Sequence, residues 1–168
     1  MTAAGEFKRT IVVTGGSRGI GRAVCEAFAE PGVLVCFNYA SNAEAAALTE
    51  KAITAAGAEA LSFQADVSNE SQVAAFFKAV LDRSGRIDVL VNNAGITRDG
   101  LLARMKAEDW EKVQAINVNG VFFCTKQVTK PMMKQRFGRI INITSVIGVM
   151  GNAGQCNYAA SKAALIGF

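Results

Sequence analysis

The sequence predicts an α/β fold, a doubly wound parallel sheet in a single domain spanning residues 1–168. Three observations carry that prediction. Short runs rich in Val and Ile alternate with longer stretches of helical period, the pattern of successive βαβ units. A glycine-rich turn, Thr14-Gly15-Gly16-Ser17-Arg18-Gly19-Ile20-Gly21, lies between the first such run and the first helical stretch. The chain has 168 residues, 51% of them apolar, enough for one well-buried core and too few for two ordinary ones.

In chain order, strands are expected at residues 10–14, 33–38, 60–65, 87–91 and 139–144, each a short apolar run. Helices are expected near 18–30, 43–56, 70–84, 107–134 and 158–168. In the longest of them Val113, Ile116, Val121, Cys124 and Val128 keep helical spacing, while Phe122 and Phe123 extend the apolar surface to a second face. Such a helix serves an oligomer contact as well as the core. No repeat of solenoid length and no Pro- or Ser-rich linker divides the chain.

Composition narrows the function. A net charge of +4 is too small to indicate nucleic acid, although Lys126, Lys130, Lys134, Arg136 and Arg139 gather locally. Cys25, Cys36, Cys124 and Cys156 are scattered, with no CxxC pair, and histidine is absent. Zinc sites and His-based triads are therefore poor hypotheses, and no metal is expected. Scattered cysteines suit a reducing compartment, and the stretch 1–10 lacks the apolar region of an export signal, so a cytoplasmic location is expected.

The glycine turn is the first candidate site. Glycine is needed where a turn adopts dihedrals costly for other residues and where backbone must approach a pyrophosphate, whose charge then meets the positive end of the following helix. Gly15, Ser17, Arg18, Gly19, Ile20 and Gly21 are the candidate contacts. NAD sites of this architecture carry a carboxylate at the end of the second strand, for the ribose 2′-hydroxyl. Here that place reads Asn38-Tyr39-Ala40-Ser41, without one. Arg18 could pair with a 2′-phosphate instead, so NADPH is the expected cofactor, with Asn38 and Ser41 beside it. Asp66 and Val67 after the third strand, and Asn93, Ala94 and Gly95 after the fourth, fall at strand carboxyl ends and are expected to line the same site.

Tyr158 and Lys162 are four apart in a helical stretch and share a face, and Ser145 follows the fifth strand. A free phenol is a poor acid or base near neutral pH, whereas a neighbouring ammonium favours its anion. Tyr158 could then act in acid-base catalysis, with Ser145 polarising a substrate carbonyl. Each spacing alone is ordinary. Their joint occurrence downstream of a dinucleotide-type turn makes a catalytic set.

Through Thr14-Gly15-x-x-x-Gly19-x-Gly21, Asn92-Asn93-Ala94-Gly95, Asn117, Ser145 and Tyr158-x-x-x-Lys162, the sequence resembles the short-chain dehydrogenase/reductase family along essentially its whole length. The segments 95–102, 148–152 and 157–168 resemble the bacterial 3-oxoacyl-[acyl-carrier-protein] reductases within it. The resemblance implies a Rossmann-type sheet of strand order 3-2-1-4-5, lacking the last two strands of the family, so that the chain reads as truncated after Phe168. It implies NADPH-dependent reduction of a 3-oxoacyl thioester in fatty-acid synthesis, with Tyr158 as proton donor and Ser145 positioning the oxygen. Lys162 would hold the nicotinamide ribose, and Asn117 would order a water linking Lys162 to solvent. It further implies an acyl carrier protein docking near Lys130, Lys134 and Arg136, and a homotetramer. Acetoacetyl-CoA reduction by the same residues, and a catalytically silent dinucleotide-binding fragment, stay open as alternatives.

Overall fold

The computed structural model describes residues 7–168. Part of the amino-terminal stretch read for an export signal, residues 1–6, lies outside the described residues. Five parallel strands, β1 (Arg9–Val13), β2 (Val33–Tyr39), β3 (Glu59–Gln64), β4 (Val89–Asn92) and β5 (Arg139–Asn142), form one sheet of order β3-β2-β1-β4-β5. The strands are therefore those expected, displaced by one or two residues at most ends. Residues 87 and 88 precede β4 because the Asp88 carboxylate, fully buried, accepts the Thr10 N–H at 2.8 Å and pairs with Arg86.

Helices α1 (Gly19–Phe28), α2 (Ala43–Ala55) and α3 (Glu70–Ser84) supply the first crossovers. Their ends follow local chemistry. Asn42 accepts the Ala45 N–H and starts α2, Asn69 accepts those of Ser71 and Gln72 and starts α3, and Gly85, at φ +69°, closes α3. The long helical stretch is one run with a defect: α4 (Ala107–Gln114), a π-helical turn at Ala115–Asn119, and α5 (Gly120–Gln135). Two short elements escaped the periodicity, a 3₁₀ turn at Leu102–Arg104 and α6 (Ile147–Met150). Both are shorter than the period that would reveal them. The last helix, α7, spans Cys156–Gly167.

The sheet separates two apolar clusters. One joins Val12, Leu34, Cys36 and Leu90 to Phe76, Phe77 and Val80 of α3 and Cys124, Val128 and Met132 of α5. The other joins Ile11, Val13, Val35 and Phe37 to Cys25 of α1 and Ala46 and Ile53 of α2. β1 and β2 are thus apolar on both faces, which is why they read as unbroken runs rather than alternating ones. At the edge, Ile140 and Ile141 of β5 are more than 40% exposed. Among the described residues no helix is long and apolar enough to cross a membrane.

Candidate active site

Strand order reverses between β1, which leads outward to β2 and β3, and β4, which leads to β5. The crevice outside the carboxyl ends of these strands is where open α/β sheets bind ligands. Four segments meet there: the glycine turn after β1, the loop after β4, the segment after β5, and the start of α7.

The turn is built for close approach. Gly15 and Gly19 have φ of +67° and +55°, conformations that side chains oppose. A Cβ on Gly21 would stand 2.2 Å from the Gly15 carbonyl oxygen, whereas one on Gly19 would meet nothing within 4 Å. Bare backbone therefore faces open space at the start of α1, where the first helical N–H groups have no intrahelical partner. Arg18, extended and exposed, forms no ion pair among the described residues, and Ile20 is 65% exposed. Ser17 is nearly buried, and its carbonyl accepts the hydroxyl of buried Thr49 at 3.1 Å, tying α2 to the turn. This cradle fits a dinucleotide's pyrophosphate.

Several residues expected beside a cofactor also hold the walls of the crevice. Asn38 is buried: its Oδ1 accepts the Gly15 N–H at 3.1 Å and its Nδ2 donates to the Ala65 carbonyl at 2.8 Å. Asn93 donates through Nδ2 to the Thr14 and Gly15 carbonyls. Val67 is buried and sits under Gly120, where a Cβ would come within 2.8 Å of it. Each of these three side chains thus also supports the walls of the crevice, with Asn38 and Val67 buried and Asn93 half-buried. Asp66 is exposed and accepts the N–H and hydroxyl of Ser68; Ser41 is exposed at the end of β2, and Gly95 at the crevice. Thr14, which the sequence reading left out of the site, accepts the N–H groups of Asn93 and Ala94 at 3.0 Å each and joins the two cofactor walls.

On the catalytic side, Lys162 is 4% exposed and its Nζ donates to the Ile143 carbonyl at 2.7 Å. Burial pushes its pKa below the usual 10.5. The ammonium lies 5.7 Å from the ring centre of half-buried Tyr158, close enough for electrostatic attraction. A Cβ on Gly95 would lie 3.3 Å from Asn117 Oδ1 and 3.7 Å from Lys162 Nζ, so these three groups converge. Asn117 is fully buried in the π-helical turn; it brackets the peptide of Ile96, accepting its N–H and donating to its carbonyl, and donates also to Ser161 Oγ. Its carboxamide thereby places the backbone of Ile96 and Ser161 beside Lys162. Ser145 Oγ accepts the Ile147 N–H at 3.2 Å, which leaves its own hydrogen free to donate.

Lys130, Lys134 and Arg136 are exposed together at the end of α5, where Arg136 caps the helix at φ +53°. Lys126 differs, being paired with Glu70 at 3.0 Å.

Residues 9–168 match the family model described as short chain dehydrogenase. The chain is 57% identical over 157 residues to the 3-oxoacyl-[acyl-carrier-protein] reductase of a Synechocystis species, covering 94% of this chain and 64% of that protein. It is 47% identical over 161 residues to the 3-oxoacyl-[acyl-carrier-protein] reductase FabG of Staphylococcus epidermidis, covering 96% of this chain and 66% of the relative. The FabG of Staphylococcus aureus is likewise 47% identical, over 162 residues. The chain thus spans slightly less than two thirds of the length of these relatives.

Proposed function

The chain belongs to the short-chain dehydrogenase family, and on that basis we propose that it serves NADPH-dependent reduction of a 3-oxoacyl thioester carried by acyl carrier protein to the 3-hydroxyacyl thioester. The observation that carries this reading is the convergence of Lys162, Asn117 and Gly95 beside Tyr158, next to a glycine turn shaped for a pyrophosphate. The names of the relatives at 47–57% identity support the substrate class.

The bound nicotinamide would supply hydride to the 3-carbonyl carbon. This chain's residues do the rest. The hydroxyl of Ser145 donates to the carbonyl oxygen, and Tyr158 delivers a proton to that oxygen as negative charge develops on it. Lys162, a buried cation, stabilises the phenolate left behind and can donate to a ribose hydroxyl. Gly15, Gly19 and Gly21 give the pyrophosphate its close approach, and the α1 amides bind it. Arg18 pairs with the 2′-phosphate, in a site where the end of β2 carries no carboxylate.

The exposed cations Lys130, Lys134 and Arg136 steer an acidic carrier protein toward the site. The apolar groove between α5 and the end of α7, with Phe122, Met133 and Phe168 exposed, supports assembly into a homo-oligomer. We place the protein in the cytoplasm, consistent with four free cysteines, three of them buried.

The test is turnover of an acetoacetyl thioester followed by loss of reduced-nicotinamide absorbance. NADPH should outperform NADH, and the carrier-protein thioester should outperform the coenzyme A thioester. Tyr158→Phe should lower kcat by at least ~100-fold, the lower range for loss of a general acid, with NADPH affinity unchanged. Turnover retained by Tyr158→Phe refutes the proton donor.

A further inference from the structure

Tyr158 is tied to the loop after β4 at both of its peptide groups. Its N–H donates to Asn157 Oδ1 at 2.8 Å, and Asn157 Nδ2 donates to the Arg98 carbonyl at 2.8 Å. Its carbonyl accepts from Ser161 Oγ at 2.7 Å; that oxygen accepts from Asn117 Nδ2, whose carboxamide brackets Ile96. Asn157, Ser161 and Asn117 are all fully buried, so water does not compete for these bonds. Gln114 of α4 adds a bond to the Asn157 carbonyl at 3.0 Å.

Outside these three buried residues lies a second fastening. Gln155 Nε2 reaches both carboxylate oxygens of Asp99 at 3.1 Å, its Oε1 accepts from Asn152, and the Gly100 N–H donates to the Gly154 carbonyl at 2.8 Å. The same loop begins as Asn93-Ala94-Gly95, the wall that Thr14 joins to the glycine turn. One continuous stretch of chain thus connects the cofactor cradle to the peptide groups of the reactive tyrosine.

We propose that Asn157, Ser161, Gln155 and Asp99 form a clasp that holds Tyr158 in register with the cofactor wall, and that these four are positioning residues for the reaction. The inference rests on Tyr158 acting as the proton donor. Its physical basis is that proton transfer needs heavy atoms within hydrogen-bond reach. A misplacement of about 1 Å is enough to cost about 100-fold in rate. The N–H groups at the start of α7 have no partner within the helix, so without Asn157 that turn is free to fray.

The experiment uses the full chain with NADPH and an acetoacetyl thioester, and reads kcat, KM, NADPH affinity by nicotinamide fluorescence, and thermal midpoint. Ser161→Ala and Gln155→Ala should each lower kcat by about 5–20-fold, short of the full penalty for a 1 Å displacement. NADPH affinity should stay close to that of the unsubstituted chain in both, and the thermal midpoint should stay close for Gln155→Ala, whereas Ser161→Ala should lower it because the buried Asn117 Nδ2 loses its acceptor. Asp99→Ala, which leaves the Gln155–Asn152 bond in place, should lose no more than Gln155→Ala, and the double variant should be no slower than Gln155→Ala, since both changes remove the Asp99–Gln155 interaction. Gln155→Lys, which keeps a donor toward Asp99, should restore most of the rate. Asn157→Ala should show the largest loss, and the exposed Asp99–Gln155 pair carries the test if that variant does not fold.

Rates unchanged in Ser161→Ala and Gln155→Ala, or losses that simply multiply in the double variant, overturn the clasp. So does a rise in the KM for NADPH with kcat unchanged. Tyr158→Phe, run in parallel, separates the two ideas. If it is inactive while the clasp variants are fully active, the clasp alone is wrong; if it turns over normally, the assignment of the proton donor fails first.

Discussion

Gly21→Ala tests the cofactor cradle at its tightest point. The added Cβ would stand 2.2 Å from the Gly15 carbonyl oxygen, 2.5 Å from Asn93 Nδ2 and 2.9 Å from the Gly15 carbonyl carbon. That is about 1 Å short of ordinary contact, and two of the three atoms are backbone, which no rotamer change can move. Forcing the helix away from the turn costs about 1–3 kcal/mol as overpacking. Strain at the Asn93–Gly15 hydrogen bond, 3.2 Å long, adds about 1 kcal/mol.

A loss of about 2–4 kcal/mol is therefore expected for Gly21→Ala, together with loss of NADPH binding because the turn and α1 no longer share one geometry. Gly19→Ala is the control: its Cβ meets nothing within 4 Å, and only φ +55° opposes it, at about 1–2 kcal/mol. Part of either cost is offset by about 0.4–1 kcal/mol from the reduced freedom of the unfolded chain. Urea unfolding midpoints and NADPH titration by fluorescence measure both variants. If Gly21→Ala binds NADPH and unfolds like Gly19→Ala, the close-approach argument for this turn is wrong.

Two other predictions concern buried groups. For Lys162, burial lowers the folded pKa below 10.5, so between that lowered value and 10.5 the unfolded chain binds more protons and stability rises with pH. The stability of the unsubstituted chain relative to Lys162→Met should therefore climb with pH through that window, measured by urea unfolding; a flat difference refutes the buried ammonium, and kcat should fall in the variant. Cys25, Cys36 and Cys124 are at most 1% exposed, and burial raises Cys25 and Cys124 to about 12 and Cys36 further still. A thiol reagent should thus modify Cys156 alone in the folded protein and all four thiols in denaturant, as read by intact mass; rapid modification of several thiols in the folded protein contradicts this packing.

The sequence by itself determined the βαβ order, the glycine turn and the spacing of Tyr158 and Lys162. Each is a local property: β1 and β2 read as continuous apolar runs because both of their faces are covered, and the turn needs glycine for reasons confined to a few residues. Charge at the end of β2 was equally legible, since the absence of a carboxylate is a matter of composition.

Tertiary structure decided which way polar side chains face. Asn38 and Asn93 occupy the expected strand ends, and their carboxamides bond backbone groups tens of residues away, while the Val67 side chain packs under Gly120. The π-helical turn around Asn117 was hidden because it interrupts a helix without breaking its apolar stripe. Thr14, Asn157 and Ser161 are small polar residues with unremarkable spacing, and their importance lies in bonds that span 79, 59 and 44 positions. Periodicity reports the neighbours of a residue along one element, whereas these contacts exist only once β1, the loop after β4 and α7 have been brought together by the sheet.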